Sequence, residues 1–212
     1  MRRVLGRANS SNVMKVLWLL DELGLPFERE DYGGPFGRVQ TPEYRALNPN
    51  SVVPTLVEVQ GGNEFVLWES NAILRYLAAG HAAGMPMWPD SLQARANIDR
   101  WMDWQQTTLG PPMNTVFWGL VRTAPEARDT AAIIAAAAKL GTLYGILDSV
   151  VERHGYVAGP ALTPADVCIG VHAFRYFSFE GIERPPLPAL DDWFTRLKAR
   201  PAFHTHVDHP MT

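Results

Sequence analysis

The sequence predicts a small α/β domain followed by an all-helical domain, and three observations carry that reading. Strand and helix signals alternate through roughly the first 80 residues; strand signals nearly vanish afterwards; and the segment Gly80 to Pro89, rich in Gly, Ala and Pro, separates the two regimes. The expected boundaries are an α/β domain over 1–80, a linker over 81–90 and a helical domain over 91–212.

The elements follow in order. Arg3-Val4-Leu5-Gly6 and Pro26 to Tyr32 are each compatible with a short strand. Between them, Val13, Val16, Leu17, Leu20 and Leu23 recur at helical spacing, and Gly24 with Pro26 supplies a stop. This is a β-α-β opening. Gly33 to Gly37 mark a loop, and Thr41-Pro42 can cap and start a short helix. Two strands, Thr55 to Val59 and Glu64 to Trp68, flank Gln60-Gly61-Gly62-Asn63, a hairpin-turn composition, and a helix begins near Ser70. Asp90 or Ser91 caps the next helix, with Gly110-Pro111-Pro112 as its expected stop, and further helical patterns run through 125–153, 164–178 and 189–199.

Composition narrows the function classes. With 212 residues, 47% hydrophobic content and a formal net charge of −3, the chain can build a core without disulfides and carries no basic block that would point to nucleic acid. Cys168 is the single cysteine, so an internal disulfide and C-x-x-C chemistry are excluded, and any redox sulfur must come from a ligand. The N-terminus lacks a signal-type apolar run, and Ala131 to Ala138 reads as too short for a bilayer, so a soluble cytoplasmic protein with no membrane partner is expected.

Several local patterns suit chemistry. Glu69-Ser70 lies at a strand-to-helix junction, where unpaired N–H groups and the positive end of the helix dipole favour an anion; the plain alternative is an N-cap with a favourable charge. Val53-Pro54 precedes a strand, where a cis X-Pro bond leaves the N–H and C=O of Val53 facing outward, or where Pro54 merely begins an edge strand. Ser10, Ser11 and Asn12 open the first helix, either as polar donors at its positive end or as ordinary caps. Lys15, one turn inward, reads as a solvated helix residue. Thr163-Pro164-Ala165-Asp166 is a capping arrangement, and Cys168 beside it reads as core.

Four segments, Arg7 to Val16, Asn48 to Pro54, Trp68 to Leu77 and Thr163 to Asp166, stand in an order and spacing that resemble the cytosolic glutathione S-transferases, in particular the theta- and nu-like classes. The resemblance covers nearly the whole chain. It implies a thioredoxin-like N-terminal domain, a helical C-terminal bundle, glutathione as co-substrate, no metal, and a homodimer acting in detoxification. It further implies that Val53, before a cis Pro54, binds the cysteinyl backbone, that Ser70 docks the γ-glutamyl carboxylate, and that Glu69 holds the ammonium end. The hydroxyl position that activates the thiol falls on Ser10, with Asn12 as second donor and Ser11 as competitor.

The sequence departs from the commoner pattern by lacking a proline between that hydroxyl and the helix, and it has neither the early tyrosine nor the early cysteine of other classes. Gln40 falls near a position for the glycyl end, and Asp103 in a region that reaches the partner subunit's glutathione in some classes. Trp101, Trp104, Met113, Phe117, Trp118 and Tyr176 are candidates for an apolar pocket that would take a small hydrophobic electrophile, with Arg122 nearby in sequence. The expected reaction is attack of the glutathione thiolate on that electrophile. Glutathione-dependent reduction of disulfides or peroxides is the alternative, and a non-catalytic binding module is a further one.

Overall fold

The computed structural model describes residues 1–211 and divides into two compact units, Met1–Ala83 with Pro201–His209, and Gly84–Arg200 with the C-terminal residues from Pro210. The second junction differs from the expected division: the chain returns to the first unit at Pro201.

In the first unit, β1 (Arg2–Leu5), α1 (Ser11–Glu22), β2 (Glu28–Glu30), α2 (Pro42–Leu47), β3 (Thr55–Gln60), β4 (Asn63–Trp68) and α3 (Ser70–His81) build a four-stranded sheet of order β2-β1-β3-β4. β1 pairs parallel with β2 and antiparallel with β3, and β3 pairs antiparallel with β4. This is the thioredoxin-like arrangement. The Gln60↔Asn63 pairing leaves Gly61-Gly62 as a two-residue turn with φ of 56° and 83°, a conformation that glycine adopts without steric cost.

Strand alternation gives the sheet two buried faces. Leu5 and Val57 pack with Tyr44 of α2, while Val4 and Leu56 point to the opposite face, and all five are buried. On that second face α1 lies beside α3. A last helix, α9 (Pro201–His206), closes this unit against α1, where Phe203 meets Trp18 edge-on at 5.0 Å.

The second unit is helical: α4 (Leu92–Trp104), α5 (Gly110–Phe117), α6 (Thr130–His154), α7 (Pro164–Ser178) and α8 (Pro188–Lys198). Gly110-Pro111-Pro112 does not stop the helix as expected. Gln105–Leu109 widens into a π turn in which the Gly110 N–H reaches the Gln105 carbonyl, and the prolines then occupy the first turn of α5, where a missing N–H costs little.

The Ala131–Ala138 stretch, read as too short for a bilayer, lies within a helix expected over 125–153 and found over Thr130–His154. α6 has 25 residues and is long and apolar enough to cross a membrane by length and composition. In this structure its buried stripe, including Ile133, Ala137, Leu140, Tyr144, Leu147 and Val151, packs on α5 and α8 as a core helix does.

α7 runs through the middle of this unit, with all but three of its 15 residues buried. The Asp166 carboxylate accepts the backbone N–H and the hydroxyl of Thr163, both at 2.9 Å, the Val157 N–H at 2.9 Å and Trp193 Nε1–H at 3.0 Å. Burial pushes the Asp166 carboxyl above the usual carboxylate range, and these four donors oppose the shift. Cys168 is buried in the same helix.

Candidate functional site: two helix starts joined through an asparagine

The first unit brings the N-termini of two twelve-residue helices together. Ser10 is the N-cap of α1 and Glu69 that of α3, yet neither side chain makes a capping hydrogen bond, so the leading N–H groups of both helices are left for another acceptor. Each end also carries the positive pole of its helix dipole, so an anion is favoured at both. Glu69 has φ of 70°, a left-handed conformation that costs a non-glycine residue roughly 1–2 kcal/mol. That strain sits at the one residue between β4 and α3.

Side chains bridge the two helix starts. Ser70 Oγ donates to Asn12 Oδ1 at 3.4 Å, and Lys15 Nζ donates to the same oxygen at 3.0 Å and to Asn71 Oδ1 at 3.4 Å. Asn12 itself is exposed, whereas Ser10, Ser70 and Asn71 are buried and Ser11 is half-buried. The expectation of a solvated Lys15 is corrected: the residue is only 2% exposed. All eight residues from Val13 to Leu20 are buried, so no face of this part of α1 is left for a solvated side chain. A run with one polar residue among seven apolar ones was the sequence signal for that, and Asn71 carried no comparable signal.

A third segment is set by a hydrogen-bond cluster behind it. Tyr44 Oη donates to the Val52 carbonyl at 2.7 Å and lies 3.0 Å from Thr55 Oγ1, while Asn48 Nδ2 donates to both, at 2.9 and 3.1 Å. Burial raises the Tyr44 hydroxyl above its ordinary range and keeps it protonated as a donor. The cluster fixes the turn into β3, where the Val53-Pro54 bond is cis and Val53 precedes the paired residues of the strand. Gly6 allows this turn to approach α1: a Cβ there would lie 2.5 Å from Val13 Cγ2 and 3.3 Å from Val53 Cβ.

The remaining sequence candidates are not part of this cluster. Gln40 is exposed, and its side-chain oxygen accepts from Arg45 of α2. Asp103 belongs to the helical unit and is exposed, and its carbonyl accepts from Thr107. In the same unit Met113 and Tyr176 are fully buried. Phe117 is nearly buried, with the Arg175 guanidinium 4.0 Å and that of Arg122 5.6 Å from its ring centre. Trp101 is buried and packs edge-on against half-buried Trp104 at 5.3 Å, and Trp118 is 62% exposed.

Residues 9–79 match the N-terminal domain of glutathione S-transferases and residues 108–201 match their C-terminal domain. The chain is 38% identical to glutathione S-transferase GstB of Escherichia coli K12 over 98% of both chains, and 32% identical to glutathione S-transferase 3 of Zea mays over 97% of this chain and 92% of that one. Among solved structures, the theta class glutathione S-transferase of Xanthomonas axonopodis pv. citri with glutathione bound superposes with a TM-score of 0.91 at 43% identity, covering 100% of this chain and 99% of the other. The chain therefore belongs to the glutathione S-transferase family.

Proposed function

We propose that this glutathione transferase binds glutathione across the two helix starts and delivers its thiolate to a hydrophobic electrophile. The observation that carries the reading is the convergence of two uncapped helix N-termini on one polar cluster, Ser70, Asn12 and Lys15. In this reading Ser70, through its hydroxyl and N–H, takes the γ-glutamyl carboxylate, Glu69 pairs with the ligand's ammonium, and the main chain of Val53 beside Pro54 pairs with the cysteinyl backbone. Gln40 is assigned to the glycyl end.

The thiol needs activation. Its unperturbed pKa is about 8.5, and each unit of depression takes about 1.4 kcal/mol of preference for the thiolate. Asn12 Nδ2, the Ser10 hydroxyl and the N–H groups at the start of α1 supply donors and positive dipole for it, with the half-buried Ser11 as the competitor to Ser10. The sulfur then attacks the electrophilic carbon; for a chloroaromatic, an S–C bond forms, the C–Cl bond breaks and chloride leaves with its electron pair, while the thiol proton has gone to solvent. No covalent intermediate with the protein is needed.

The apolar electrophile is assigned to Trp104, Met113, Phe117 and Trp118 of the helical unit, and Asp103 to a contact with a partner subunit's glutathione. A homodimer is part of the proposal, supported by exposed Phe65 on β4 beside exposed Tyr76 on α3, with their rings 5.0 Å apart.

The test is conjugation of a chloronitroaromatic beside reduction of hydroxyethyl disulfide, in the wild type and in Ser10→Ala, Ser11→Ala and Asn12→Ala. Conjugation as the main activity, with losses of about tenfold or more for Asn12→Ala and Ser10→Ala, is expected. Dominant disulfide reduction would reassign the reaction, and calorimetry showing no glutathione binding at millimolar ligand would remove it.

A further inference from the structure

Lys15 is a buried ammonium one turn inside α1, and nothing in the proposed chemistry yet uses it. Its Nζ has only donors to offer, and it lies 3.0 Å from Asn12 and 3.4 Å from Asn71. An amide whose NH2 faced that ammonium would set donor against donor, so the oxygen of Asn12 must face Lys15. The hydroxyl of Ser70 reaches the same oxygen at 3.4 Å. With Oδ1 held from behind by two donors, the exposed Asn12 can present only Nδ2 outward.

We infer that Lys15 is a positioning residue: its ammonium turns the Asn12 amide so that Nδ2 faces the glutathione sulfur, and joins that amide to Ser70 and Asn71 on α3. The inference rests on the proposed glutathione site and adds a specific cause for thiolate selectivity within it. An amide free to rotate presents its oxygen to the sulfur part of the time, and an oxygen acceptor favours the protonated thiol, whereas Nδ2–H favours the thiolate. Lys15 removes the first state. It also ties the sulfur end of the ligand to the carboxylate end, because the residue that orients Asn12 is hydrogen-bonded to the second residue of α3.

The experiment is an ultraviolet titration of the thiolate of bound glutathione against pH in the wild type, Lys15→Met, Asn12→Ala and the double variant. Lys15→Met is expected to raise the apparent thiol pKa by about one unit, and so to lower kcat about tenfold at a pH below it with a smaller change in KM. The double variant is expected to match Asn12→Ala alone, since Lys15 acts through that amide. A Lys15→Met titration identical to wild type, or a shift that adds in full to that of Asn12→Ala, would overturn the inference.

Should Lys15→Met fail to fold, Asn12→Asp carries the test. Its carboxylate pairs with Lys15 but offers the sulfur no donor, so it should melt above Asn12→Ala while losing the thiol acidity; an Asn12→Asp variant that keeps the acidity, or melts no higher than Asn12→Ala, refutes the inference. A wild-type complex in which bound glutathione titrates like the free thiol sinks the proposed function itself, which is a separate outcome.

Discussion

At the residue scale, the two ends of the candidate site make different demands. Ser70 is buried at the head of α3, and its hydroxyl is the group assigned to the ligand carboxylate. Ser70→Ala should therefore weaken glutathione binding by roughly 1.5–3 kcal/mol, the range for a hydrogen bond to a charged group, with little change in melting temperature; calorimetry and a thermal melt check both. A different residue has no such task. Tyr144 is fully buried in α6, its hydroxyl has no hydrogen-bond partner, and its ring stacks on Tyr176 at 4.3 Å. Burial pushes that hydroxyl well above its ordinary pKa. Tyr144→Phe keeps the stacked ring and removes the unpaired polar atom, so it is expected to leave stability unchanged or to raise it by about 1 kcal/mol, read as the denaturant midpoint. Lys15 shows where residue-level reading of the sequence fell short: the helical spacing of Val13, Val16, Leu17 and Leu20 defined one core face, but a second face of α1 is buried as well, and the signal for it was the unbroken apolar run on either side of Lys15 rather than any periodicity.

Elements differ in how far their signals are local. The Thr163-Pro164-Ala165-Asp166 cap was legible because its partners lie within one turn, but its larger task was not, since Val157 and Trp193 reach Asp166 from outside the helix. Asp166→Ala strands two backbone N–H groups, a hydroxyl and an indole N–H in the interior, and is expected to cost about 3 kcal/mol or more in chemical denaturation. Asp166→Asn, which keeps acceptors, should cost less. The hairpin at Gly61-Gly62 was equally readable, because a two-residue turn with both φ positive has few sequence solutions. The prolines at 111 and 112 misled for the opposite reason. Their local chemistry says stop, while the π turn before them, which places both prolines in a first turn where no N–H is needed, lets the helix continue. Likewise the pairing of Asn12 with Ser70 spans 58 residues of sequence, a distance over which no local pattern speaks; the resemblance implied a role for each residue at opposite ends of one ligand but not the hydrogen bond that joins them.

At the scale of the whole molecule, the consequential feature is that the first unit is assembled from both ends of the chain. His206 of α9 lies 3.2 Å from Asp21 of α1, and burial lowers its pKa from 6.5 despite that carboxylate. A histidine whose folded pKa is depressed stabilises the fold above its unfolded pKa, and that contribution is lost as pH falls below it. The melting temperature of the wild type should accordingly drop between about pH 7 and pH 5 by more than that of His206→Gln, provided the melts are run at one ionic strength.

Because Phe203 is the cover over Trp18, ribosomal synthesis poses an order-of-assembly problem. The sheet and its first helices emerge early, yet the indole lacks this contact until the α9 segment has left the exit tunnel. A chain ending after Arg200 should therefore show its defect in the first unit, as tryptophan emission shifted to the red of the full chain's and a tendency to associate, even though the deletion lies far from Trp18 in sequence.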